Sequence, residues 1–147
     1  MKTVFADACY WIGLLNENDG LHAAAREASD NLGPCRIVTT EMVLVEVLNG
    51  LSGSGENTRR AAAETIRSLE KDPNVEIVPQ TSIQSHSATE RYASRLDKEW
   101  GATDCASFLV MEEKGLREAL TDDHPFTQAN FTSLMTEDPS RRTKRET

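Results

Sequence analysis

Short apolar segments alternate with segments of helical periodicity along most of this 147-residue chain. The apolar segments have the length of single buried strands, and the periodic segments between them are long enough to be helices. Strands that alternate with helices favour a mostly parallel sheet that is covered by helices on both faces. The sequence therefore predicts a three-layer α/β domain with a central sheet of four to five strands flanked by helices.

Turn and capping residues position these elements along the chain. The predicted strands are residues 3–6, 36–39, 75–78, 118–121 and 131–135. The predicted helices are residues 21–32, 41 to about 51, 56–71, 81 or 82 to 100, and 103–114. The last eleven residues carry four basic side chains and no large apolar one. We therefore expect residues 1–136 to form the domain and residues 137–147 to form a mobile basic tail.

The charge balance excludes one class of nucleic-acid-binding protein. The chain has 24 acidic and 16 basic residues, a net charge of −8, and only 5% aromatic residues. A broad basic surface or an aromatic stacking platform for nucleic acid is therefore not expected. An enzyme that concentrates acids around metal ions remains compatible with this charge, because the bound ions supply the local positive charge.

Neither a membrane segment nor a cysteine-based site is indicated. No apolar run approaches the roughly 20 residues that a bilayer-spanning helix needs. Asp7 interrupts the N-terminal apolar run, so we reject a secretory signal and expect a cytoplasmic protein. The three cysteines, Cys9, Cys35 and Cys105, lack the spacing of a zinc site or a disulfide framework. We interpret them as structural thiols that pack as small apolar side chains.

Acidic side chains occur where the predicted fold would place a ligand site. Asp7 follows the first strand, Asp123 or its neighbour Asp122 follows the fourth, Glu46 interrupts an apolar helix, and Asp104 opens another helix. In parallel sheets of this kind, ligands bind beyond the carboxyl ends of the strands. Each acid also has a purely structural explanation: a helix cap, a turn, a solvent-facing position or complementation of a helix dipole.

The joint placement of the acids is more informative than any one of them. Carboxylates that converge without a cation repel each other and raise each other's pKa values. Oxygen-only ligands select hard cations, so Mg²⁺ or Mn²⁺ is the expected cofactor.

Four sequence segments resemble, in order, the motifs of the PIN-domain family, and most closely those of its VapC-type toxin ribonucleases. The resemblance covers residues 2–135. The segments are Val4-Phe5-Ala6-Asp7-Ala8, Thr40-Glu41 with Glu46-Val47, Ala102-Thr103-Asp104-Cys105-Ala106-Ser107-Phe108, and Thr121 with Asp123 and Phe126. The doubled acid at positions 122 and 123 and the proline at position 125 depart from the family pattern.

This resemblance implies a metal-dependent ribonuclease that hydrolyses RNA phosphodiester bonds. It implies that Asp7, Glu46, Asp104 and Asp123 form the acidic site, with Asp7 and Asp104 as the central metal ligands. Thr121 corresponds to the family's hydroxyl residue beside the site. The family also implies a small antitoxin protein as a partner, with a basic segment that inserts against the acids, and a homodimer.

Ser107 lies one helical turn beyond Asp104 and is a further candidate beside the site. His124 is either a substrate contact or a solvated loop residue. The arginines at positions 59, 60 and 67 either contact RNA or form a solvated helix face.

Other functions remain open from the sequence alone. The fold could serve as an RNA- or protein-binding module without catalysis, or as a housekeeping RNA-processing nuclease. A phosphoryl-transfer enzyme with an aspartyl nucleophile is disfavoured, because Cys9 stands where a second Asp is usual. A receiver domain is disfavoured for a similar reason, since it needs paired acids near the end of the first strand.

Overall fold

The computed structural model describes residues 1–135 and contains one five-stranded sheet with the strand order β3-β2-β1-β4-β5. Every pairing in the sheet is parallel. The strands are β1 (Lys2–Ala6), β2 (Cys35–Thr40), β3 (Val75–Val78), β4 (Glu118–Leu120) and β5 (Thr132–Ser133). The predicted α/β class with a parallel sheet of four to five strands is confirmed. The predicted basic tail, residues 137–147, lies outside the described residues.

Helices connect the strands, and within residues 1–135 none is long and apolar enough to cross a bilayer. The helices are α1 (Ala8–Leu15), α2 (His22–Leu32), α3 (Glu41–Gly50), α4 (Glu56–Lys71), α5 (Ser82–Ser94), α6 (Ala102–Lys114) and α7 (His124–Gln128). Helices α1 and α7 were not predicted. Helix α1 is apolar on nearly every side and α7 has five residues, so neither shows the contrast between faces from which helices are recognised.

Helix α5 is shorter than predicted. It ends at Ser94, whereas the spacing of apolar residues predicted a helix to Trp100. Tyr92 and Leu96 are 52% and 83% exposed, while Trp100 is buried and its ring packs edge-on against Phe108 at 5.1 Å. Leu96 and Trp100 would share one face of a helix, so the chain must leave the helix to bury only Trp100.

Helix α3 is mainly apolar from Met42 to Leu48, yet it is only partly buried. Val43, Leu44 and Val47 are buried, but Val45 and Leu48 are 54% and 42% exposed. The helix packs against α1 and α4, and the side that carries Val45 faces solvent. The sequence shows which side chains of a helix are apolar, but it does not show how many sides of that helix are covered by other helices and strands.

The strand order places the ends of β1 and β4 side by side. Strands β2 and β3 lie on one side of β1 within the sheet. The chain then returns and forms β4 on the other side of β1. Ala6 pairs with Leu120, and the backbone amide of Asp7 donates to the Leu120 carbonyl at 3.1 Å. Ligands of open α/β sheets bind at such a reversal of strand order.

Candidate active site

Asp7 is the buried acid at the end of β1. It is only 3% exposed, and the Thr121 hydroxyl donates to its Oδ2 at 3.0 Å. Asp7 occupies the N-cap position of α1 but makes no side-chain cap hydrogen bond, so helix capping does not explain it. Burial raises the pKa of Asp7 well above its usual value, and the charge of Asp123 raises it further. An ionised carboxylate at this position needs a compensating cation.

Asp104 lies in the first turn of α6 and is half-buried. The backbone amide of Gly101 donates to its Oδ2 at 2.9 Å, so Asp104 also satisfies an amide at the start of the helix. Burial raises the pKa of Asp104 to about 6, against the partial opposing effect of that hydrogen bond. The charges of Asp123 and Glu46 contribute to the rise, so Asp104 lies within electrostatic range of both acids.

Glu46 lies on the exposed side of α3, yet its carboxyl group is electrostatically linked to the other acids. Desolvation of the carboxyl group raises its pKa, the Thr103 side chain lowers it by hydrogen bonding, and the charge of Asp123 raises it. The residue as a whole is exposed, but its carboxyl group is partly desolvated and lies within electrostatic range of Asp123. A position on an ordinary solvent-facing stripe would not produce this coupling.

Asp123 rather than Asp122 belongs to the compact group of potential metal ligands. One carboxylate oxygen of Asp123, one of Asp7 and the Cys9 sulfur all lie within 4.8 Å of one another. The backbone amide of Asp123 donates to the Thr121 hydroxyl at 3.1 Å, whereas that of Asp122 donates to the Cys9 sulfur at 3.4 Å. The geometry therefore favours Asp123 as the fourth acid, a choice that the sequence left open.

The four acids form one electrostatic group. Asp123 raises the pKa of Asp7, Asp104 and Glu46, while Asp7 and Asp104, and Asp104 and Glu46, also interact. Carboxylates that repel each other in a partly buried cleft are stabilised by a divalent cation. Because the acids offer oxygen ligands, they fit Mg²⁺ or Mn²⁺. The catalytic and metal-binding roles of the individual acids stay predictions.

Thr121 connects the ends of β1 and β4. It is wholly buried, and its hydroxyl donates to Asp7 and accepts from the amide of Asp123. This geometry suits the predicted role of a hydroxyl beside the acids. Ser107 on α6 is also wholly buried, but its hydroxyl has no hydrogen-bond partner within residues 1–135. Its predicted place beside the site therefore stays a prediction.

Cys9 is a member of this cluster that the sequence interpretation missed. Its sulfur lies 3.4 Å from the Thr121 hydroxyl and 3.9 Å from Asp7 Oδ2. Burial raises the pKa of the Cys9 thiol, and the charges of Asp7 and Asp123 raise it further, so the thiol stays neutral. The available signal was its position two residues after Asp7. Because α1 is not among the predicted helices, that position alone did not predict that Cys9 lies beside the acids.

The sequence matches the PIN domain family over residues 4–131. The match covers most of the chain, and the chain therefore belongs to the PIN domain family. Two relatives from Mycobacterium tuberculosis, from strains CDC 1551 / Oshkosh and ATCC 25618 / H37Rv, are both named 23S rRNA-specific endonuclease VapC20. Each is 29% identical to this chain over 134 residues, which make up 91% of this chain and 99% of the relative.

The crystal structure of Mycobacterium tuberculosis VapC20, described as a sarcin-ricin loop cleaving toxin, has a similar fold. The TM-score is 0.78 at 27% sequence identity, and the alignment covers 88% of this chain and 96% of VapC20. The resemblance to PIN domains of VapC type that was predicted from four short segments is therefore confirmed.

Proposed function

We propose that this protein is a metal-dependent endoribonuclease of VapC type, the toxin of a toxin–antitoxin pair. The observation that carries the proposal is the almost fully buried Asp7 close to Asp123 at the reversal of strand order, with Asp104 and Glu46 within electrostatic range of Asp123. The names of the two VapC20 relatives support the same activity.

Asp7 and Asp104 are the proposed central ligands of Mg²⁺ or Mn²⁺, with Glu46 and Asp123 completing the site directly or through water. When bound, the ion would activate water and neutralise charge on the scissile phosphate and the leaving oxygen. The Thr121 hydroxyl would hold the Asp7 carboxylate in place, because it already donates to Oδ2. Hydrolysis in this manner would leave a 5′-phosphate and a 3′-hydroxyl.

The proposed substrate is an RNA loop, and 23S rRNA is the first candidate, because both relatives are named for that specificity. The proposed partners are a small antitoxin, which would present a basic segment to the acids, and a second copy of this chain. A cytoplasmic location follows from the proposed RNA substrate.

A binding module without catalysis is the alternative of a different class. Titration calorimetry with Mn²⁺ distinguishes the two, since a module that has lost catalysis has no need to bind the ion. A housekeeping RNA-processing nuclease would bind Mn²⁺ as well and is separated from a toxin only by its effect on growth.

The test of the proposed activity is an RNA cleavage assay with a matched acid variant. Asp7→Asn and Asp104→Asn should each lower the cleavage rate by about 100-fold or more, as expected for loss of a group that acts in the transition state. Asp30→Asn on the exposed side of α2 should cut like the wild type. EDTA should abolish cleavage, and added Mn²⁺ should restore it. Cleavage by both site variants at the wild-type rate would contradict the proposal.

A further inference from the structure

A cleft of about 580 Å³ lies next to the acidic group. One wall is the loop at residues 97–99, which follows α5, and the other is the segment from Asp123 to Gln128. Asp123 belongs both to this cleft and to the acidic group. A chain-like ligand that passes the acids can therefore continue into the cleft.

The two walls of the cleft are joined by side-chain contacts. The indole nitrogen of the buried Trp100 donates to Gln128 Oε1 at 2.8 Å. The Arg95 guanidinium lies 5.2 Å from the centre of the Trp100 ring and binds both oxygens of Asp97, at 3.0 and 2.9 Å. The hydrogen bond from Trp100 to Gln128 therefore links the two walls, and the charge of Asp97 is balanced by Arg95.

Lys98 is the one permanent cation that lines the cleft, as far as residues 1–135 are described. It is half-buried, whereas most lysines extend into water. None of the five ion pairs within the described part of the chain includes Lys98, although its charge interacts with that of Asp97. Because Arg95 already binds both oxygens of Asp97, the Lys98 ammonium group can also pair with an anionic ligand.

Glu99 beside Lys98 and Asp123 on the other wall also line the cleft and repel anions, so a phosphate group is accommodated only in direct contact with the Lys98 ammonium group. The imidazole of His124 and the amide of Gln128 line the opposite wall and can form hydrogen bonds with a base. The cleft therefore offers one cation for a phosphate and polar groups for a base. Both are parts of a nucleotide, so a nucleotide is a suitable ligand. The size of the cleft lies within the range of roughly 300–1,000 Å³ that is usual for small-ligand sites.

We infer that this cleft binds the nucleotide adjacent to the scissile bond of the RNA substrate, with the Lys98 ammonium paired to a phosphate of that nucleotide. The inference rests on the proposed ribonuclease function. It makes Lys98 a residue that positions the substrate rather than one that acts on the reacting atoms.

The test compares Lys98→Gln with Lys71→Gln, which makes the same change of charge at another site. Lys71 is exposed and ends α4 just before the amino end of β3, whereas Asp7 and Asp123 follow the carboxyl ends of β1 and β4. The probe is a synthetic RNA hairpin that contains the sarcin–ricin loop of 23S rRNA. Its binding to both variants is measured by fluorescence anisotropy on an Asp7→Asn background, where cleavage should be slow enough for the RNA to stay intact during the measurement.

Lys98→Gln should weaken RNA binding about tenfold and reduce the slope of log affinity against log salt concentration by about 0.7–0.9, the change expected for one lost phosphate contact. Lys71→Gln should alter neither quantity, and Lys98→Arg should restore both. In cleavage assays without the Asp7 change, the KM of Lys98→Gln should rise by more than its kcat falls. Equal affinities and salt slopes for Lys98→Gln and Lys71→Gln would overturn the inference.

The cleavage and binding experiments distinguish failure of the proposed function from failure of the cleft assignment. If the wild-type chain cuts no RNA, the ribonuclease proposal is wrong, while the binding comparison still decides whether Lys98 contacts a phosphate. If the wild-type chain cuts RNA and Lys98→Gln binds normally, only the cleft assignment is wrong.

Discussion

The burial of the Asp7 carboxyl group lowers the stability of the fold and is better explained by the binding of a metal ion. The carboxyl group is almost fully buried, its pKa is raised by that burial and by Asp123, and it accepts a hydrogen bond from Thr121, which follows the neighbouring strand β4. A side chain in such a position stabilises the folded state only when a cation is bound beside it. The acid is therefore better explained by ion binding than by stability.

Because burial of the Asp7 carboxylate is unfavourable without a cation, we expect Asp7→Asn to stabilise the metal-free protein. The amide oxygen of Asn can still accept from Thr121, but the buried negative charge is removed. We expect a gain of about 1 kcal/mol, or roughly 3 °C in Tm for a chain of this size. The measurement is thermal unfolding in EDTA, with Asp30→Asn as a control that should not shift. A lower Tm for Asp7→Asn would show that the carboxylate is stabilising without metal.

Asp104 predicts a pH dependence of stability in the metal-free protein. Its pKa is about 6 in the folded state against 3.8 for the ordinary carboxyl group, so the folded state holds the proton more tightly. The stability that this group contributes is therefore present below about pH 4 and is lost as the pH rises through about 6. Asp104→Asn removes this dependence, because an amide does not titrate in this range.

The measurement is the Tm of both proteins in EDTA from about pH 4.5 to about pH 7.5, across the window between the two pKa values. The Tm of Asp104→Asn relative to the wild type should increase toward the upper end. A constant difference over the whole range would contradict the raised pKa.

At the scale of elements, α3 shows how a local capping signal positions a site residue. The Thr40 hydroxyl accepts from the amide of Val43 at 3.0 Å and so defines where the helix begins after β2. Glu46 therefore lies in the second turn of α3, where its carboxyl group can reach Asp104 and Asp123.

Thr40→Ala should lower the free energy of unfolding by about 1 kcal/mol through loss of this cap. Thr40→Ser retains the hydroxyl group and should lose much less. Urea unfolding of the three proteins measures the difference. Equal loss in Thr40→Ala and Thr40→Ser would mean that the buried methyl group, and not the cap, stabilises the helix.

At the scale of the whole molecule, the proposed toxin function predicts an effect on cells. Expression of the intact chain alone should arrest the growth of a bacterial host, and Asp7→Asn should relieve the arrest. Asp30→Asn should arrest growth as the wild type does, since it leaves the acidic group intact. Growth curves after induction, with matched protein levels, provide the measurement. Unimpaired growth with the intact chain would favour a housekeeping nuclease.

Much of the architecture was predictable, because strands and helices are encoded by local patterns. The helix at residues 56–71 and the strand at residues 75–78 were predicted with both ends correct. Helix α1 was not predicted, because an almost uniformly apolar helix has no polar face. The extension of α5 to Trp100 was wrong, because the burial of that side chain against Phe108 outweighs the local spacing.

The sequence by itself determined the order of the elements, the α/β class and the acids that lie at element ends, because propensity, capping and periodicity act between neighbours in the chain. The tertiary structure decided which groups meet. Asp7 and Thr121 are 114 residues apart and are joined only because β4 pairs with β1. The same packing brings Asp123 and Cys9 close to Asp7, and it puts Lys98 and Asp123 on the two walls of one cleft. Contacts between distant residues depend on strand order and helix packing, and no local pattern carries that information.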